Sequence, residues 1–126
     1  MSKQAFDQQV DVVVVGTGAG GMAAAVAARK MGLEVLVVEK EPVYGGTTAR
    51  SGGVLWVPNN PISTARPEPD SLHAARTYLR HECGAFYDSE RVDAFLANGP
   101  RMVEFFVNET DVKLRLPLKT GVLNPC

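Results

Sequence analysis

The sequence is short of the residues that build disulfide frameworks and metal centres. Its 126 residues hold two cysteines, Cys83 and Cys126, and two histidines, His73 and His81. The cysteines form no CxxC pair and have no metal-type spacing with either histidine, so no metal is expected and both thiols read as free. That usage fits a reducing compartment. An excess of either charge is also missing. With 13 Lys and Arg against 14 Asp and Glu, the net charge is −1, which removes the electrostatic footprint of a nucleic-acid partner. The start, MSKQAFDQQ, has no apolar run behind a basic segment, so no secretory signal is expected. The most apolar stretch, residues 10 to 38, is broken by Asp11, Arg29, Lys30 and Glu34, whereas a membrane span needs roughly 20 apolar residues without such breaks. A cytoplasmic protein is expected. Apolar residues make up 45% and charged residues 21% of the chain, a balance that supports a folded core in one modest domain.

What is present is organised from the N-terminal end. Val10–Val15 reads VDVVVV, short and β-branched without alternation, which predicts a strand buried on both faces of a parallel sheet. Gly16–Gly21 reads as a turn. Residues 19 to 31 are rich in alanine (Ala23, Ala24, Ala25, Ala27 and Ala28) and predict a helix, with Arg29 and Lys30 at its negative end and Gly32 as a C-terminal cap. Glu34–Glu39, EVLVVE, predicts a second buried strand. The three together make a βαβ unit with a right-handed crossover. Residues 41 to 63 carry Pro42, Gly45, Gly46, Gly52, Gly53, Pro58 and Pro61, the composition of an ordered loop. Asp70 is placed to cap a helix from Ser71 to about Cys83, with Leu72, Ala75 and Leu79 on one face. Ser89 is placed to cap a second helix through Val92, Phe95 and Leu96. Pro100 then marks the start of a third, with Met102, Val103, Phe105, Phe106 and Val107 as its apolar side. Asp111–Leu116 is expected as a further strand.

The turn carries the first chemistry. Gly16-Thr17-Gly18-Ala19-Gly20-Gly21 is a GxGxxG motif, and it lies where the motif requires, between a buried strand and a helix. Gly16 permits the tight turn, Gly18 lets the backbone approach a pyrophosphate, and Gly21 lets helix and strand pack closely. The helix start offers unpaired amides and a positive dipole end to an anion. The motif also demands a carboxylate about 20 residues on, at the end of the second strand, to bind an adenosine ribose. Glu39 stands there. A carboxylate at that place disfavours a 2′-phosphate and therefore NADP.

The fingerprint does not separate FAD from NAD; the loop after it does. Glu39-Lys40-Glu41-Pro42-Val43-Tyr44-Gly45-Gly46-Thr47-Thr48-Ala49-Arg50-Ser51-Gly52-Gly53 resembles the segment that passes under the flavin diphosphate and ring in the fumarate reductase and succinate dehydrogenase flavoprotein class. That class includes the 3-ketosteroid dehydrogenases. Glycine amides and the hydroxyls of Thr47, Thr48 and Ser51 suit phosphate and ring heteroatoms. Ser51-Gly52-Gly53-Val54-Leu55-Trp56-Val57-Pro58-Asn59-Asn60-Pro61 is similar to the corresponding run of 3-ketosteroid Δ1-dehydrogenases, and residues 89 to 112 are similar to that subgroup as well. Trp56 itself is expected to pack rather than to reach the flavin.

The resemblance implies an α/β fold, a Rossmann-like FAD-binding βαβ unit followed by helices and incomplete relative to the family. Residues 1–126 would be the N-terminal part of an FAD-binding domain, with the substrate domain absent. It implies FAD held by Gly16, Gly18, Ala19, Gly20, Gly21, Glu39, Lys40, Gly46, Thr47, Thr48, Ser51, Gly52 and Gly53. The respiratory members attach FAD through a histidine in this loop. None lies between Glu39 and Gly53, so non-covalent FAD is expected. The implied reaction is that of a 3-ketosteroid Δ1-dehydrogenase: a base removes a proton beside the ketone, a hydride passes to flavin N5, and a 1,2 double bond forms in ring A. A fumarate reductase-like activity, a non-catalytic nucleotide-binding module and an NAD domain are the alternatives, the last disfavoured by Gly45–Gly53. No catalytic residue is assigned: Tyr44, Tyr78, Tyr87, Arg50 and Arg66 match no defensible position. With one mononucleotide half and a sheet of two or three strands that leaves an edge unpaired, the chain is expected to be a fragment, a truncated product or half of a two-chain enzyme.

Overall fold

The computed structural model describes residues 6–65 and 71–116. The chain divides into two compact units, Met1–Leu55 and Trp56–Cys126.

The first unit is the βαβ element. Strand β1 (Val12–Val15) and strand β2 (Val35–Val38) pair in parallel, with Val12 opposite Val35 and Val15 opposite Val38. Helix α1 (Ala19–Lys30) connects them. Both strands are shorter than the apolar runs that predict them. Asp11 closes their start, its side chain accepting from the Glu34 amide at 2.8 Å. Past Lys30 the chain leaves the helix as the sequence expects. Gly32 has φ +88° and its amide donates to Arg29, while the Leu33 amide reaches back to Ala28. Those two bonds form a Schellman motif. Burial on both faces is not what the sheet shows. Val14 is buried beneath α1, but Val13 and Val15, on the opposite face, are 57% and 83% exposed. One helix can cover only one face of a sheet, so among the described residues the other face of this valine-rich pair stays open, against the expected burial on both.

The second unit is helical. Helix α2 (Leu72–Cys83) is capped by Ser71, whose hydroxyl accepts from the Ala74 amide at 3.0 Å. The cap is therefore Ser71 and not Asp70, which lies outside the described residues. Helix α3 (Ser89–Glu109) is capped by Asp88, one residue before the expected Ser89. It also replaces two expected helices with one, because Pro100 lies inside it. The proline ring removes the amide that would bond the Leu96 carbonyl and crowds that carbonyl. Two features offset this cost. Gly99, with no Cβ, relieves the usual clash between a proline ring and the preceding side chain, and the helix buries Val92, Leu96, Gly99 and Val103 on one stripe. Asp111–Leu116 forms no strand. Among the described residues no third strand is present to pair it.

Ala75 of α2 and Val92 and Leu96 of α3 form the core of this unit, with Leu79 and Tyr87 packed against it. Arg76 reaches Asp93 through Nε at 2.9 Å and Nη2 at 2.6 Å, tying the same two helices at their surface. Trp56 packs at 5.3 Å from the Tyr78 ring and 6.0 Å from that of Phe95, as expected for a packing residue. Among the described residues no helix is long and apolar enough to cross a membrane.

Pro100→Ala restores an amide for the Leu96 carbonyl. It is expected to raise the unfolding free energy by about 1 kcal/mol or more, below the full helix-interior penalty of ~3 kcal/mol because α3 already accommodates the ring. Urea unfolding of the two forms checks this, and a loss of stability would mean that the helix path depends on the proline.

Candidate functional site

The glycine turn is built by steric need. Gly16 has φ +95°, a conformation that L side chains rarely adopt. A Cβ on Gly21 would lie 2.1 Å from the Gly16 carbonyl oxygen and 3.4 Å from Val14 Cγ1, so helix and strand approach as closely as they do because that side chain is absent. Gly18 is different. It is the N-cap of α1, at φ −65° and ψ 176°, and among the described residues a Cβ there would meet nothing beyond its chain neighbours within 4 Å. The turn itself does not require a glycine at that place. The first helical bond of α1 runs from the Met22 amide to the Gly18 carbonyl at 3.0 Å. The amides before it are left to other partners, and no acidic residue occupies the first turn to compete for the dipole.

Glu39, at the end of β2, is fastened to this turn. Its Oε2 accepts from the Thr17 amide at 2.9 Å and the Thr17 hydroxyl at 2.5 Å; its Oε1 accepts from the amides of Lys40 and Glu41 at 2.9 and 3.1 Å. These donors favour the anion. The carboxyl is lowered from 4.5 to about 2, first by the Thr17 hydroxyl and then by the backbone amides, against a smaller opposing effect of burial. A depressed folded value means that the stabilisation is complete above 4.5 and is lost as the pH falls through about 2. Glu39→Gln is expected to flatten the dependence of the urea midpoint on pH across that window, whereas an unchanged slope would place the carboxylate away from Thr17.

The segment after Glu39 folds back onto the turn. Gly45 and Gly46 have φ +107° and +54°, and a Gly46 Cβ would lie 3.4 Å from the Gly18 Cα. A short 3-10 helix, Gly46–Arg50, follows. The Gly45 amide donates to the Thr17 hydroxyl at 2.8 Å, and the Ala19 amide, at the start of α1, donates to Thr48 Oγ1 at 3.2 Å. The expected residues thus divide. The turn, Glu39, Gly46 and Thr48 come together. Ser51 instead donates to the Thr48 carbonyl at 2.8 Å and accepts from the Gly53 amide. Lys40 pairs with Glu41 at 3.4 Å in solvent, while Thr47 and Gly52 are exposed. Thr17 joins all three segments and is missed by a reading that treats it as the variable residue of GxG. The only signal is a hydroxyl beside the first glycine, on the side of the acid.

Residues 11–123 match the family model described as an FAD binding domain. The chain belongs to this family. As an FAD binding domain it has known relatives of stated activity. It is 50% identical over 107 residues to the 3-oxosteroid 1-dehydrogenase of Mycobacterium tuberculosis (strain ATCC 25618 / H37Rv), covering 85% of this chain and 19% of that protein. It is 46% identical over 109 residues to the 4-oxocyclohex-2-ene-1-carboxylate 5-dehydrogenase of Sinomonas cyclohexanicum, covering 86% of this chain and 18% of that protein. Among solved structures, the 3-ketosteroid Δ1-dehydrogenase of Sterolibacterium denitrificans, in complex with 1,4-androstadiene-3,17-dione, superposes with a TM-score of 0.67 at 47% identity, over 76% of this chain and 17% of that one. The FAD binding domain chain therefore spans about a fifth of the length of the curated relatives it matches. The local chemistry fits FAD. A pyrophosphate needs amide donors with no Cβ before them, and the open side of Gly18 at the start of α1 has that form.

Proposed function

We propose that this chain grips FAD non-covalently for a dehydrogenase that desaturates a ring ketone, with a 3-ketosteroid as the preferred substrate. The observation that carries the reading is the closure of the Gly45–Gly53 loop onto the phosphate turn, through Gly45 to Thr17, Ala19 to Thr48 and an approach of Gly46 to Gly18 that leaves little room for a Cβ. A turn that served NAD alone would have no use for that loop. In this reading Gly16, Gly18, Ala19, Gly20 and Gly21 face the pyrophosphate, and Glu39 with Lys40 faces the adenosine ribose. Gly46, Thr47, Thr48, Ser51, Gly52 and Gly53 lie toward the flavin half. When bound, FAD would supply a two-electron acceptor at its ring system. This chain's part is to orient that ring by holding the other end of the cofactor. The substrate class is supported by the relatives, which are named for a 3-oxosteroid, a 3-ketosteroid and an oxocyclohexene carboxylate; each name contains a ring ketone. The absence of histidine between Glu39 and Gly53 supports non-covalent binding. The free Cys83 fits the cytoplasmic setting that the reading includes. A second segment or chain that supplies the groups facing the substrate belongs to the same proposal.

The purified full-length protein should show a flavin spectrum that is lost on acid precipitation and restored by added FAD. It should reduce an artificial dye acceptor with a 3-ketosteroid. NAD binding without any flavin signal would refute the cofactor, and turnover with fumarate but not with a ring ketone would refute the substrate class.

A further inference from the structure

Thr17 occupies the variable position between Gly16 and Gly18, yet it is 7% exposed and its hydroxyl uses both of its functions. The O–H donates to Glu39 Oε2 at 2.5 Å, and the oxygen accepts from the Gly45 amide at 2.8 Å. Its own amide donates to the same Oε2 at 2.9 Å. The other carboxylate oxygen is held by the amides that follow it in the chain, those of Lys40 and Glu41. Oε1 is thus oriented locally, and among the described residues Oε2 is oriented by Thr17. Gly45, with φ +107°, is the hinge at which the chain turns into the loop that lies on Gly18. One hydroxyl therefore aims the acid and ties down the loop together.

We propose that Thr17 is a positioning residue for cofactor binding. Its hydroxyl sets Glu39 toward the adenosine ribose and fixes the start of the Gly45–Gly53 loop beside the pyrophosphate position, an inference that rests on the FAD reading of this site. The physical requirement is a group that donates to an anion and accepts from an amide at once. A hydroxyl does both; a valine of nearly the same shape does neither and leaves the Gly45 amide without its acceptor. With that tether gone, the ligand must order the loop as it binds, and affinity falls by the cost of doing so.

The test is a mutant cycle on the full-length protein, read by quenching of FAD fluorescence. Thr17→Val is expected to weaken FAD binding by about tenfold or more, as befits a charge-assisted bond and a tethered loop. Thr17→Ser keeps the hydroxyl and should stay within about threefold of the unaltered protein. The role is positional if Thr17→Val, introduced on top of Glu39→Gln, costs clearly less than it does alone, since part of its effect passes through that carboxylate. Equal losses in both backgrounds, failure of serine to restore binding, or wild-type affinity in Thr17→Val would each overturn the proposal. Should Thr17→Val not fold, Thr17→Ser is compared with Thr17→Ala: a tenfold or larger advantage of serine supports the role on the same grounds, and equal affinities overturn it. The cofactor reading fails separately. An unaltered protein that quenches no FAD but binds NAD refutes FAD, and the same cycle with NAD as the probe then decides the role of Thr17.

Discussion

Gly21→Ala is expected to unfold the βαβ unit, whereas Gly18→Ala keeps the fold and loses the cofactor. The two glycines are three residues apart in one motif and answer to different constraints. At Gly21 the new Cβ would lie 2.1 Å from the Gly16 carbonyl oxygen and 3.0 Å from its carbon. Both are backbone atoms, so no rotamer change relieves the contact and α1 must lift away from β1. Such overpacking costs about 3 kcal/mol or more where the neighbours cannot move. At Gly18 the backbone is already at φ −65° and ψ 176°, an extended conformation open to alanine, and among the described residues nothing beyond its chain neighbours lies within 4 Å of the added carbon. Stability should change by less than about 0.5 kcal/mol. The space that the methyl group fills is the one left before the amides of α1, so FAD affinity should fall at least about tenfold through lost contact with the pyrophosphate. Gly20→Ala separates helix propensity from steric contact in the stability readout. It sits on the helix with nothing within 4 Å, and alanine should stabilise α1 by up to about 1 kcal/mol. Thermal unfolding and flavin fluorescence of the three variants separate the cases. Unchanged stability in Gly21→Ala would mean that the helix does not rest on the turn as described, and undiminished FAD binding in Gly18→Ala would remove the pyrophosphate from this side of it.

The difference between these glycines explains how much of the site could be read from the sequence. Gly16 and Gly21 are legible because steric exclusion leaves only glycine, and Gly32 is legible because a left-handed residue must end α1. Glu39 is legible because the strand's length fixes where it ends. Thr17 is not. Its side chain is small and polar in a turn, where most such residues face water, and only the arrival of Glu39 and Gly45 from elsewhere in the chain gives its hydroxyl two partners. Ser51 reads from the sequence as a ligand donor, and in the structure its hydroxyl donates to the Thr48 carbonyl at 2.8 Å, which the 3-10 turn before it presents. Lys40 likewise pairs with its neighbour Glu41. In the helical unit, Pro100 does not begin a new helix, for a definite reason. Asn98-Gly99-Pro100 carries every local sign of a helix boundary, and those signs are propensities of about 1 to 3 kcal/mol. A stripe of four buried residues crossing the boundary outweighs them. Asp111–Leu116 alternates like a strand, but a strand exists only where another pairs with it, and alternation says nothing about the partner.

Leu96→Ala should therefore be the most damaging single substitution in the helical unit, at about 3 kcal/mol. Leu96 is 3% exposed and sits between Ala75 of α2 and Val92 one turn back, with Leu79 and Tyr87 against the cluster. Its carbonyl is also the one that Pro100 deprives of a donor, so side-chain packing carries this turn of α3 where the backbone bond is missing. Truncation to alanine leaves a void beside a helix already weakened at that point, and the neighbours that could collapse into it are themselves anchored, Ala75 by its short side chain and Val92 by its β-branch. Met102 lies on the same helix, half-exposed, and Met102→Ala should cost less than about 1 kcal/mol. Urea unfolding of both variants gives the comparison, and similar small losses would mean that the Ala75–Val92–Leu96 cluster is not the core of this unit. The cofactor site offers a second readout. Among the described residues every tie between turn, acid and loop lies before residue 54, so FAD affinity of the folded Leu96→Ala protein should remain within about threefold of the unaltered chain. A larger loss would show that the ties among turn, acid and loop do not suffice to hold the cofactor.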